Sequence, residues 1–217
     1  MFAAVIKKVG SGFVGKRGDA VRPSSACGFL YDHLEIKRDR KGYLCRLGMF
    51  MQDARSEDGN GHMGLNIPDF GISRTGIGII PDFLDEAVAD GFVWQASDFE
   101  ELSEAISKHS EEFYEFWGNP ENCIDFLCYE QGERAPKNIA LYLNHEIVPH
   151  KCATNAFQLG LLYAYLGHDE AAEREFESSR KLAPNTDKEV SEALLLLHDK
   201  RLSPKPDIFP FKDLMAR

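Results

Sequence analysis

The sequence predicts an α+β protein: a small antiparallel sheet in the first half, packed with helices, and an all-helical second half. Three observations carry that expectation. Phe29 to Lys37 is rich in apolar and aromatic residues and Tyr43 to Met51 alternates with a period of two, as a half-buried strand requires, and from Ser97 onward the period changes to 3.6. Strand-like stretches come first and helix-like stretches follow, without the alternation that builds a parallel sheet. An apolar content of 43% over 217 residues is enough for a packed core.

In chain order, residues 2–9 read as a short opening helix, and the Gly-rich stretch that follows, through Gly28, reads as irregular. Phe29 to Lys37 and Tyr43 to Met51 read as strands, the second with Tyr43, Cys45, Leu47, Met49 and Met51 on one face. Arg38 to Gly42 form a polar turn between them, so the pair is expected to be a β-hairpin with a basic tip. Residues 52–68 read as a long polar loop. A third strand is expected from Phe70 to Ile80, then a short helix or turn from Pro81 to Asp90 and a last strand from Phe92 to Gln95.

Ser97 and Glu100 have the spacing of a capping box, and Phe99, Leu102, Ile106, His109, Phe113 and Trp117 follow one helical face. Gly118, Asn119 and Pro120 stop that helix. Further helices are expected over Glu121–Tyr129, Pro136–Ile147 and Lys188–Arg201, the last as a cap through Val190, Ala193, Leu194 and Leu197. The tail should be extended, anchored by Phe209 and Phe211. The changes of pattern suggest three regions: 1–96 with the sheet, 97–150 with helices packed on it, and 151–217 with a helical hairpin, capping helix and tail.

Residues 155–184 read as two helices joined by a tight turn. Leu159, Gly160, Tyr163 and Leu166 share one face of the first helix; Gly167 ends it; Ala172, Phe176 and Ser179 recur on the second, which Pro184 closes. The order Leu159, Gly160, Tyr163, Gly167, Ala172, Phe176, Pro184 resembles a tetratricopeptide repeat, with Ala156 and Ser179 departing from the usual pattern. The resemblance implies a scaffold for binding proteins or peptides, with no catalytic residues, and one unit needs neighbouring helices to complete its core. The opening half, with its GYLCRLGMFM strand, resembles an uncharacterised bacterial domain family found beside polymorphic-toxin genes. That resemblance rests on order of elements and carries no catalytic motif.

The net charge of −10 lies entirely in residues 97–217, where 13 Lys and Arg face 23 Asp and Glu. Such a half repels nucleic acid and anionic membrane and favours a basic partner. Glu101, Glu104, Glu111, Glu112 and Glu115 on the long helix, with Glu173 and Glu177 on the second repeat helix, form the expected partner-binding surface. The first residues do not form a secretory signal, and no run of ~18 apolar residues occurs, so a soluble cytoplasmic protein is expected.

Other motifs carry less. Gly59 to Gly64 spell G-x-G-x-x-G, but Asn66-Ile67-Pro68 follow instead of a helix, so a loop is expected there and no nucleotide site. His145, His150 and Cys152 are close in sequence but lack a fourth ligand, and no metal or cofactor is expected. The five cysteines read as reduced thiols. The leading expectation is therefore a non-enzymatic protein-binding protein, most concretely an immunity-type inhibitor of a cationic bacterial toxin domain. A tetratricopeptide-type regulatory or assembly adaptor is the alternative. A second alternative is an enzyme with a site between sheet and helices, drawing on His62, His109, Arg46 or Arg74.

Overall fold

A computed structural model describes residues 5–6, 12–56, 61–133, 150–205 and 211. It shows an antiparallel sheet in the N-terminal half and helices in the C-terminal half, an α+β fold. The chain forms two compact units, one of Met1–Phe50, Pro68–Gly118 and Phe211–Arg217, the other of Met51–Ile67 and Asn119–Pro210. Compactness thus divides the chain differently from the changes of period at residues 97 and 151: the long helix belongs with the sheet, and the loop after the hairpin belongs with the later helices.

In the first unit the strands are β1 (Val14–Lys16), β2 (Asp19–Pro23), β3 (Leu30–Asp39) and β4 (Gly42–Gln52), whose end enters the second unit. After the short β5 (His62–Gly64) come β6 (Phe70–Ser73), β7 (Gly76–Ile79) and β8 (Val93–Trp94). The sheet runs β1-β2-β3-β4-β6-β7, and β5 and β8 also pair with β4. At 11 residues β4 is long enough for two partners to share one of its edges. Tyr43 and Leu44 pair with Trp94 and Val93 of β8, and Arg46 and Leu47 pair with Gly71 and Phe70 of β6. The alternation expected in β4 holds from Cys45 to Met51, where Cys45, Leu47, Met49 and Met51 are buried and Arg46, Gly48 and Phe50 only partly so; at the strand's start it fails, Tyr43 being partly buried and Leu44 buried.

Two stretches differ from expectation. The Gly-rich segment is not irregular: β1 and β2 form a hairpin in register Val14↔Val21, Gly15↔Ala20, Lys16↔Asp19. Its two turn residues, Arg17 (φ 54) and Gly18 (φ 106), both have positive φ, the conformation that matches strand twist. Gly15 allows the close approach, because a Cβ there would stand 2.2 Å from the Asp19 carbonyl oxygen. The stretch Phe70 to Ile80 is two strands, folded back at Arg74 and Thr75 so that Ile72 pairs with Ile77 and Phe70 with Ile79.

A short helix, α1 (Leu84–Ala89), precedes β8, and α2 (Phe99–Trp117) follows it. The expected cap is displaced. Asp98, not Glu100, closes a capping box, with Gln95 as its partner, in a 3-10 turn over Ala96–Asp98, and Ser97 Oγ donates to Asp98 Oδ1 at 2.8 Å. Helix α2 buries Leu102, Ile106, Phe113, Tyr114 and Trp117. Phe70 meets Phe113 edge to face at 5.3 Å and Trp117 at 5.6 Å, so β6 and α2 share one aromatic core. Each such side chain contributes about 1.5–3 kcal/mol on leaving water. Phe211 joins the same unit, 5.5 Å from Tyr31 and 5.3 Å from Phe50.

The second unit contains α3 (Pro120–Glu130), α4 (Ala153–Tyr165), α5 (Asp169–Leu182) and α6 (Asp187–His198). Asn119 caps α3 by accepting from the Glu121 amide at 3.1 Å, with Pro120 as the first helical residue. Helices α4 and α5 are antiparallel: Ser179 Oγ, near the end of α5, donates to the Ala153 carbonyl at the start of α4 (2.9 Å), and Gly167 (φ 77) makes the reversal. Val190, Ala193 and Leu197 bury the inner face of α6.

The described part of the expected polar loop is tied to α4. Tyr165 OH donates to the Gln52 carbonyl (2.7 Å) and accepts from the Ala54 amide (2.9 Å). Gln158 Nε2 donates to the Gly64 carbonyl (2.7 Å) while its Oε1 accepts from the Asn66 amide (2.8 Å). Of the expected opening helix only Val5 and Ile6 are described, and both are helical. The helix expected over 136–147, His145, Gly59, Asn60 and Phe209 lie outside the described residues.

Candidate functional site

Successive residues of a helix turn by about 100°, so positions 101, 104, 111, 112 and 115 of α2 fall within one arc of about 100°. Leu102, Ile106, Phe113 and Trp117 point the opposite way, into the sheet core. All five glutamates are exposed, and Lys108 is the one base within their arc. The sheet therefore fixes the helix by its apolar face and leaves a ridge of carboxylates outward.

One of the five is tied to the sheet. Glu111 accepts from both terminal nitrogens of Arg22 on β2, each at 2.9 Å, and Arg22 Nε donates to Asp32 on β3 at 2.7 Å. The guanidinium lies against two rings that touch each other, 4.5 Å from the centre of Phe13 and 5.4 Å from that of Tyr114. Tyr114 OH in turn donates to the His33 carbonyl at 2.6 Å. Two carboxylates against one guanidinium leave this cluster with one net negative charge. Burial works to lower the Arg22 pKa, but hydrogen bonds and charge from Glu111 and Asp32 outweigh it and raise it. Asp32 is only 1% exposed, and burial pushes its carboxyl up to about 6 against the pull of Arg22.

Sequence reasoning missed Arg22 and Asp32 because the segment holding Arg22 reads as irregular. A signal existed in the next strand: Asp32 interrupts the apolar run Phe29-Leu30-Tyr31, and an acid in such a run needs a cationic partner if it is buried.

Glu173 and Glu177 belong to the other unit, four residues apart on α5. Glu173 stands 3.9 Å from His198 Nε2, and Glu177 accepts from Arg180 Nη1 at 2.8 Å. Of the repeat-packing residues, Gly160 and Phe176 are in contact. Leu159, Ala172 and Phe176 are fully buried, and Tyr163 OH lies 3.6 Å from Cys128 Sγ. A Cβ at Gly160 would stand 2.5 Å from the Phe176 ring, so the missing side chain is what seats that ring. Pro184 begins a 3-10 turn, Pro184–Thr186, just after α5.

The candidates for an enzyme site are engaged singly. Arg46 faces Glu35 (3.7 Å) and Asp69 (3.4 Å). Arg74 donates to Asp98 (2.6 Å) and the Val93 carbonyl (3.0 Å), with its guanidinium 4.7 Å from the Trp94 ring centre. His109 is half-buried beside Gly76, and His62 lies on β5 in the other unit. Of the described glycines of the G-x-G-x-x-G stretch, Gly61 precedes β5 and Gly64 ends it, and neither opens a helix. Cys152 caps α4, its Sγ accepting from the Asn155 amide at 3.4 Å, and His150 is exposed. Among the described residues no group of three or more His, Cys, Asp or Glu is placed to hold a metal ion, and the five cysteines are free thiols. No helix among the described residues is long and apolar enough to cross a membrane. No family model, curated protein or solved structure matches the chain.

Proposed function

We propose that the chain is a non-enzymatic protein-binding protein that presents the carboxylate ridge of α2 to a basic partner protein. The observation that carries this reading is the placement of Glu101, Glu104, Glu112 and Glu115 on one exposed face of a helix whose opposite face is locked into the sheet. A rigid ridge of one sign speeds encounter with a cation-rich surface and fixes its orientation. In its most concrete form the partner is a cationic bacterial toxin domain and the chain is an immunity-type inhibitor acting in the cytoplasm, a form supported by the order of elements in the opening half. A second reading, a regulatory or assembly adaptor of tetratricopeptide type, is favoured by the seat of Phe176 on Gly160 in the α4–α5 hairpin.

The test compares the wild type with a variant carrying Glu101→Lys, Glu104→Lys, Glu112→Lys and Glu115→Lys as baits for cell extract at low and high salt. Circular dichroism verifies that both are folded. The ridge reading expects basic proteins held by the wild type at low salt, released at high salt and not held by the variant. Equal retention by both baits would remove it.

A further inference from the structure

We propose that a cleft in the helical unit binds an extended basic segment of a partner protein, at a site separate from the carboxylate ridge and argued independently of it. The cleft measures about 390 Å³ and is lined by Arg55, Met63, Thr154, Phe157, Thr186 and Glu189, among others.

Its walls are held in place. Arg55 Nε donates to Asp53 Oδ1 at 2.8 Å, and the guanidinium stacks 4.8 Å from the centre of the Phe157 ring. Phe157 in turn rests 5.4 Å from Phe176 of the hairpin core. The segment carrying Met63 and Gly64 is fixed by the paired hydrogen bonds of Gln158. The aromatic floor is therefore rigid and only half-buried.

The charge of the cleft selects its occupant. The positive charge of Arg55 is already met by Asp53. Glu189, by contrast, is exposed and makes no ion pair among the described residues, and Glu192 adds a second negative charge near Arg55. A lysine or arginine side chain satisfies both features: its methylene stem covers Phe157 and Met63, and its cationic head reaches Glu189. An extended segment turns alternate side chains toward the floor and toward solvent, so one basic side chain can enter while the backbone stays at the rim.

The experiment titrates full-length protein into two fluorescein-labelled hexapeptides, one alternating arginine and leucine and the other alternating glutamate and leucine, and follows anisotropy. The cleft predicts saturable binding of the arginine peptide, weakened at least about tenfold by Glu189→Lys and by Thr154→Trp, which fills the cleft from an exposed position. It predicts no binding of the glutamate peptide and no effect of the fourfold lysine variant of α2. No binding of the arginine peptide, equal binding of both peptides, or unchanged affinity in Glu189→Lys would overturn the proposal. Loss of binding in the α2 variant alone would overturn it too, while supporting the ridge. If Thr154→Trp fails to fold, Glu189→Lys still decides.

Discussion

Arg22 holds Glu111 through two parallel hydrogen bonds of 2.9 Å while its third side-chain nitrogen is engaged by the buried Asp32, so the second strand clamps the long helix. The clamp gives one carboxylate of the acidic ridge a structural task, while all five stay exposed along the helix. Glu111 is 62% exposed and Asp32 is not, so the energetic weight falls on the inner pair.

Arg22→Ala is therefore expected to destabilise the protein by about 3 kcal/mol, because it leaves the buried Asp32 without its cation. Glu111→Gln removes only the exposed arm and is expected to cost less than about 1 kcal/mol. Urea unfolding of both variants checks the asymmetry. Equal losses would show that the outer arm carries the clamp.

The Asp32 carboxyl, raised by burial to about 6, makes stability depend on pH. Its folded value lies above the unfolded value of about 3.9, so its contribution is fully present below about pH 4 and is lost as pH rises through 6. Between pH 7 and pH 5 the wild type is expected to gain on the order of 1 kcal/mol relative to Asp32→Asn. Paired unfolding curves at the two pH values measure this. A difference independent of pH would contradict the assignment.

Gly160→Ala places a Cβ 2.5 Å from the Phe176 ring inside the α4–α5 hairpin. Overpacking of that kind is expected to cost about 1–3 kcal/mol, and Phe176→Leu in the same chain should recover part of it by removing the ring that clashes. Strict additivity in the double-mutant cycle would show that the two residues do not share the contact.

Gln158 satisfies both the Gly64 carbonyl and the Asn66 amide with one side chain. Gln158→Leu keeps the bulk but removes both hydrogen bonds, at an expected cost of about 1–3 kcal/mol. Hydrogen exchange at the Asn66 amide should accelerate more than at the core amides of α4. Unchanged protection would mean that the segment is held by other contacts.

Much of the fold was legible because period follows packing. The long helix and the β3–β4 hairpin bury a regular set of apolar side chains, and their pattern states which face turns inward. The β1–β2 hairpin was not legible: its turn is Arg17-Gly18 instead of Asn-Gly or Asp-Gly, and Gly15 gives no side chain to set a period. The fold at Arg74 and Thr75 is closed by Gly76 (φ 143), a glycine that reads equally as an interruption within one strand, so two short strands read as one. The stretch after β4 is held by Tyr165 at Gln52 and Ala54 and by Gln158 at Gly64 and Asn66, about a hundred positions downstream, and no local pattern announces such bonds. Of the acidic surface, the shared face of α2 followed from spacing alone, whereas the capture of Glu111 by a residue 89 positions away did not.

The most direct test of the carboxylate ridge is the association rate of a partner captured by the wild type, measured against ionic strength for wild type and the fourfold lysine variant. The ridge predicts a fast wild-type rate that falls steeply with salt, and a slow variant rate that is nearly flat or rises with salt, since opposed charge acts mainly on encounter. Identical rates and identical salt dependence in the two proteins would contradict it.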